Sequence, residues 1–285
     1  MRFEPKPAND FPLFIETYFE RCRAECPKLL AITGKWTFED LIPGLSDFDS
    51  RFIFDDDVTV EEWARMSSAV GLVHTGLAKE SPRWARILEH LPGLNLTRAE
   101  MTDPRTYYPE FQQWTCYRGD RKTMDAVEGY LARKPWGRRD EDFHLRKFAT
   151  YFGPYLRGID PPINIGRWES KYPLHSRFMH YFTPPVQSAL SIVRRKGARG
   201  KLAALRGARE VFPHPEVIDM VLEAVDRHYE IPEYYKDSRL TEIERLLETY
   251  LKDAYACLAG HVSLIEIDPA DTPVKLKSRI SAVAV

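Results

Sequence analysis

Apolar and polar residues alternate most sharply between Ser46 and Phe54, where Ser-Asp-Phe-Asp-Ser-Arg-Phe-Ile-Phe changes character at nearly every step. A period of two is that of a half-buried strand. Asp47, Asp49 and Arg51 then share one face, and Phe48, Phe52 and Phe54 point the other way into a core. Upstream, Leu29–Thr33 reads as a short apolar strand that runs straight into Gly34-Lys35. Before it, Phe11, Phe14, Ile15, Tyr18, Phe19 and Cys22 form a 3.6-residue stripe, which predicts a helix over Phe11–Cys26 ended by Pro27. Thr59, with Glu61 and Glu62 behind it, opens another helix. Its stripe runs through Met66, Val70, Val73 and Leu77, and a second helical piece follows from Pro82 to about His90. Leu94–Thr102, after the Pro92-Gly93 break, reads as a strand. Strand, turn, strand, long helix and strand in succession predict a small mixed sheet with helices packed on it.

From about residue 120 the pattern changes. Asp120–Asp142 is charged and contains a Pro-Trp-Gly turn signal at 135–137, so a domain boundary is expected near residue 120. Helical periodicity then dominates, over Glu141–Arg157, Thr183–Ala208, Pro215–Tyr229 and Thr241–Leu258. Pro184-Pro185 and Pro215 sit where a helix start tolerates a missing N–H. The expected architecture is α+β, a sheet-containing domain over 1–120 and a mostly helical domain over 121–285.

Composition narrows the classes. The chain has 285 residues, 44% apolar and 29% charged, with a formal net charge of −1. Such a balance suits a globular protein, and the global charge favours neither nucleic acid nor a membrane as partner. The ten N-terminal residues lack the apolar core of a secretory signal, and no run reaches membrane-spanning length. Cys22, Cys26, Cys116 and Cys257 are few and scattered, which predicts reduced thiols and a cytoplasmic protein. One stretch departs from the mean: Arg194-Arg195-Lys196-Gly197-Ala198-Arg199-Gly200-Lys201, with Arg206 and Arg209, gathers seven cations. It reads either as a solvated face or as a grip for a triphosphate or nucleic acid.

Candidate chemistry concentrates at residues 34–51. Two carboxylates on one strand face repel one another when ionised, and a divalent cation relieves that repulsion. Mg²⁺, which takes one or two carboxylates plus waters and substrate phosphates, suits the pair. A glycine at position 34 permits close backbone approach to a phosphate, and Lys35 adds charge. Arg51, on the aspartate face, either reaches a phosphate or pairs with Asp49. The run Asp55-Asp56-Asp57 reads as a solvated turn. His144, His175 and His180 have no Ser or Cys at a motif spacing that makes a nucleophile and base. There is no Gly-x-Ser-x-Gly, P-loop or zinc pattern. Tyr151, Phe152, Trp168, Tyr172, Phe178, Tyr181, Phe182, Tyr234 and Tyr235 divide between core and pocket lining.

Gly34-Lys35, eleven intervening residues, then Asp47-Phe48-Asp49 resembles the signature of the polymerase-β-like nucleotidyltransferases. Gly44-Leu45-Ser46-Asp47-Phe48-Asp49 is similar to the Ser-Asp-x-Asp form of the aminoglycoside adenylyltransferases. Glu100-Met101-Thr102, Tyr108-Pro109 and Trp114 follow the order seen in the streptomycin/spectinomycin members, and the resemblance covers about the first 120 residues. It implies a nucleotidyltransferase domain followed by a helical bundle. The implied reaction is metal-dependent transfer of a nucleoside monophosphate, AMP from ATP, to a hydroxyl of a small molecule. Asp47, Asp49 and Glu100 are then the metal ligands for one or two Mg²⁺ ions, with Glu100 also the base. Gly34, Lys35, Ser46 and Arg51 contact the nucleotide. Lys35 departs from the family, which has serine there. Glu89 and Asp103 are nearby alternatives to Glu100. Transfer to tRNA or protein, and a nucleotide-binding module without activity, are the other two readings.

Overall fold

The computed structural model describes residues 8–43, 46–88, 92–93, 95–157, 177–227 and 237–283. Gly44, Leu45, Glu89, Leu94, Trp168, Tyr172, His175, Tyr234 and Tyr235, named above, lie outside the described residues, as does the side chain of His180. The protein is α+β, with one small mixed sheet and many helices. Two compact units divide the chain, one running to Lys134 and the other from Pro135 onward. Among the described residues, no helix is long and apolar enough to cross a membrane.

The first unit opens with α1 (Phe11–Glu25), whose buried residues are the six of the predicted stripe. Strand β1 (Leu29–Gly34) follows, then β2 (Ser50–Phe54), α2 (Val60–Glu80), α3 (Pro82–Ile87) and β3 (Asn95–Thr97). Thr59 caps α2 as expected: its hydroxyl accepts from the Glu62 N–H at 3.2 Å, and the Glu62 carboxylate accepts from the Thr59 N–H at 2.9 Å. The unit closes with α4 (Arg98–Thr102), a 3₁₀ turn at Pro109–Gln113, β4 (Thr115–Gly119) and α5 (Arg121–Arg133). Strand order is β3-β2-β1-β4; β1 runs antiparallel to both neighbours, and β2 and β3 are parallel.

Both faces of the sheet are covered. Phe48, Phe52, Phe54, Ile32 and Tyr117 pack with α1, α2 and α3, whereas Ala31, Ile53, Leu96 and Cys116 pack with α4, α5 and the 3₁₀ turn. Strand β2 is therefore buried on both sides along its C-terminal half, and the half-buried alternation holds only for the extended approach to it. A register shift between Leu29 and Ala31 turns Leu29 onto the same face as Ile32. Gly119, at φ 146°, lies where a Cβ would sit 2.3 Å from the Leu30 carbonyl oxygen, so only glycine fits.

Helix α5 begins at the expected boundary. Its Val127 and Leu131 belong to the second-face core, which places the helix with the sheet. Asp120 caps it, accepting from the Thr123 N–H and hydroxyl, both at 2.8 Å.

The described residues from Pro135 onward are helical, with connecting loops: α6 (Arg138–Arg157), a π-helical turn at Arg177–Phe182, α7 (Thr183–Arg194), α8 (Lys201–Arg209), α9 (Pro215–Arg227), α10 (Asp237–Ala256) and α11 (Pro273–Ser281). Every residue from Thr183 to Ile192 is buried, so α7 is the central rod, packed by α6, α8 and α10. The expected continuous helix over Thr183–Ala208 breaks at Arg195, in the left-handed region at φ 49°, and resumes after Gly200 at φ 81°.

Candidate functional site

Strand pairing determines which candidate residues meet. Gly34 is opposite Ser50 on one side and Thr115 on the other. Lys35 follows Gly34 in the chain, while Asp49 and Trp114 directly precede Ser50 and Thr115, so the three residues adjoin neighbouring strand ends. Partly exposed Asp47 and Asp49 flank Phe48, which is only 3% exposed and packs edge-on against Phe14 and obliquely against Tyr117. The backbone around them is fixed: Phe48 N–H donates to Ile87 O at 2.9 Å, and Gly93 N–H donates to Ser50 O at 3.0 Å. Two carboxylates on the anchored segment that leads into β2, with the lysine that follows β1, form the centre of the candidate site.

Lys35 Nζ lies 2.7 Å from Glu110 Oε1, with both side chains about one-fifth exposed. Glu110 comes from the 3₁₀ turn that precedes β4 and was not among the residues expected at the site. Its neighbour Tyr108 is half-exposed, and its hydroxyl is made less acidic mainly by burial and then by the Glu110 charge, with Lys35 opposing. Arg51 donates to its neighbour's carbonyl, Ser50 O, at 2.8 Å, and its guanidinium lies 5.1 Å from the Trp114 ring centroid. Half-exposed Phe38 meets Tyr117 edge-on at 4.7 Å, so aromatic surface borders the same end of the sheet.

Three expected residues have other work in the structure. The Ser46 hydroxyl donates to Asp40 O at 2.7 Å and accepts from the Ile42 N–H at 2.9 Å, closing the 40–46 loop. Gly34 has a packing reason: a Cβ there would stand 2.5 Å from the Tyr117 ring and 3.3 Å from Phe48. Glu100 is not brought to the aspartates. The chain turns helical after Thr97, and Thr97 and Glu100 cap α4 reciprocally, the Glu100 carboxylate accepting from the Thr97 N–H at 2.8 Å. Because β3 runs parallel to β2 with Thr97 beside Phe54, Glu100 lies past the far end of β2. Five residues of strand separate Asp49 from that end, about 16 Å. The carboxylates clustered there are structural: Asp56 accepts from the Ala99 N–H at 2.6 Å and pairs with Arg98 at 2.8 Å, and Asp57 pairs with Lys28 at 3.3 Å. Asp103, the other alternative, pairs with Arg105 at 2.6 Å.

Among the described residues, no group of three or more His, Cys, Asp or Glu side chains is arranged to hold a metal ion. Asp47 and Asp49 supply two oxygen donors, a set suited to Mg²⁺ whose remaining ligands are waters and substrate phosphates. It does not suit a metal that needs a full protein cage. No protein-family model, curated protein or solved structure matches this chain.

Proposed function

We propose that the first unit is a nucleotidyltransferase domain that moves AMP from ATP onto a hydroxyl of a small molecule and releases pyrophosphate. The observation that supports this reading is that β1 pairs with β2 up to Gly34 and Ser50, the residues next to Lys35 and Asp49, while Asp47 and Asp49 flank the buried Phe48. Phosphoryl transfer asks little of a protein beyond positioning and charge neutralisation, and this set provides both signs of charge on a fixed backbone.

Asp47 and Asp49 are the residues that would hold Mg²⁺, which when bound neutralises the triphosphate and the departing pyrophosphate. Lys35 exchanges Glu110 for the β/γ-phosphate oxygens, a role for which an ammonium serves as well as the serine of the resembling family. Glu110, released from that ion pair, would take the acceptor's hydroxyl proton, the role the family resemblance implied for Glu100. Phe38 and Tyr108 offer exposed aromatic surface for a base or ring. Four free cysteines suit a reducing, cytoplasmic setting.

Calorimetric titration of each of the four NTPs with Mg²⁺ tests the reading. Binding that requires the metal and disappears in Asp47→Asn/Asp49→Asn supports it and selects the donor. Equal binding by the variant removes the aspartates from the site, and no NTP binding by the folded wild type overturns the proposal.

A further inference from the structure

Residues 194–209 contain seven Arg and Lys and no acid. In the structure they are the end of α7, the loop 195–200 and all of α8, a tight helical hairpin. The loop is held rigidly. Arg195 N–H donates to Ile192 O at 3.1 Å, Lys196 N–H to Ser191 O at 3.1 Å, and Ala198 N–H to Ser191 Oγ at 2.9 Å. The fully buried Gln187 reaches out of α7 to donate to Ala198 O at 2.8 Å and Gly200 O at 3.4 Å. Arg194 crosses from α7 onto α8, donating to Gly207 O at 3.3 Å and pairing with Glu210 at 3.3 Å. Gly207 admits that guanidinium, since a Cβ would stand 2.9 Å from it.

Two ion pairs lie at the C-terminal end of α8. Glu210 meets Arg194, and Asp219 meets Arg209 at 2.7 Å. At the loop end, Arg195 and Lys196 are exposed and make no ion pair among the described residues. Arg206 is exposed on α8, with Arg199 in the loop and Lys201 at the start of α8 partly exposed. A solvated charge run needs no buried scaffold. Here, buried polar side chains of the central helix are used to fix the backbone that carries the cations, which lowers the ordering cost of a multipoint contact.

We propose that this hairpin binds a nucleic-acid phosphate backbone. Spaced cations on a rigid loop and an adjoining helix suit a repeating line of phosphates, and the near-zero net charge of the chain hides them. The proposal is independent of the nucleotide site, so binding is measured without NTP or Mg²⁺.

The test is fluorescence anisotropy of the full chain with a labelled mixed-sequence single-stranded RNA across a salt series. About four phosphate contacts predict roughly a 50-fold loss of affinity over a fourfold rise in salt. Arg195→Glu/Lys196→Glu, which removes exposed side chains without ion partners, should weaken binding by at least about tenfold with an unchanged melting midpoint. The control Arg121→Glu/Lys122→Glu, the same charge change on exposed residues of α5, should bind like wild type. No RNA binding at low salt overturns the proposal, as does equal binding by wild type and the hairpin variant, or an equal loss in the control. Displacement of RNA by inorganic triphosphate at matched charge would mark a small-anion site, and preference for phosphatidylserine vesicles would mark a membrane surface; either result also overturns it.

Discussion

The candidate site of the sheet unit and the core of the helical unit place carboxylates differently. In the sheet unit, the carboxylates of the candidate site, Asp47, Asp49 and Glu110, remain partly exposed at one end of the strands, beside Lys35 and Arg51. In the helical unit, Asp140, Glu141 and Asp271 are buried as clasps. Glu141 accepts from the Ser263 N–H at 2.6 Å, the Leu264 N–H at 2.7 Å and the Ser263 hydroxyl at 2.9 Å, tying a distant loop to the start of α6. Asp271 accepts from the Tyr255 hydroxyl at 2.6 Å and pairs with Arg279 and Lys275. A carboxylate whose donors are supplied inside the fold stabilises it, whereas the partly exposed carboxylates at the end of the strands are within reach of solvent. Asp140, Glu141 and Asp271 thus lie inside the helical unit, while Arg195, Lys196 and Arg206 lie exposed on its α7–α8 hairpin.

The largest expected effect separates these roles. Asp47→Asn or Asp49→Asn should lower Mg²⁺-dependent turnover of the NTP by on the order of a thousandfold, the range that positioned charges reach in phosphoryl transfer. The same substitutions at partly exposed positions should change unfolding free energy by no more than about 0.5 kcal/mol. Glu141→Ala should show the reverse, destabilising by about 2–3 kcal/mol as three donors lose their acceptor. Denaturant titration of both variants beside a turnover assay gives the pair of readings, and an aspartate variant that loses stability as Glu141→Ala does would erase the distinction.

His144 carries the comparison into pH. It is buried, with its ring stacked on Trp136 at 5.5 Å and its Nδ1 3.4 Å from Ser188 Oγ. Burial, with the nearby Lys147 charge adding to it, pushes its pKa down from 6.5 to about 3. Below pH 6.5 the unfolded chain takes up a proton that the folded chain refuses. Stability contributed by the neutral ring is therefore complete above that value and is lost as pH falls toward about 3, by about 1.4 kcal/mol per pH unit. His144→Gln should flatten the slope of unfolding free energy between pH 6 and 4 relative to wild type; parallel slopes would show that the imidazole titrates normally.

The parts of the fold that the chain spells out are those set by local period. The stripe of α1, the cap at Thr59 and the aromatic face of Phe48, Phe52 and Phe54 are read directly, because burial and spacing coincide there. The site is legible only in its first half. Glu110 meets Lys35 because β4 pairs with β1 across most of the unit, and no spacing announces that pairing. Helix α5 had a signal that its charged residues obscure: Asp120 as cap and Thr123, Val127 and Leu131 as stripe. The break between α7 and α8 is marked by Gly197 and Gly200, but helical periodicity on either side overrides them in the reading.

Glu100 is the smallest effect and the sharpest test, since it belongs to the sheet unit but behaves like the clasps of the helical one. Thr97-Arg98-Ala99-Glu100 is a capping-box sequence, and the structure uses it as one. Glu100→Ala should cost about 1 kcal/mol of stability, the usual value of a lost cap contact. Glu100→Gln should cost less, because the amide oxygen still accepts from the Thr97 N–H. Neither should alter Mg²⁺-dependent NTP binding, given the length of β2 between Glu100 and Asp49. Glu110→Gln should instead leave the cap intact and slow turnover, as Lys35 loses its ionic partner and the acceptor its base. A collapse of turnover in Glu100→Gln with Glu110→Gln unaffected would return the third carboxylate to Glu100, and would require that end of the sheet to rearrange when nucleotide binds.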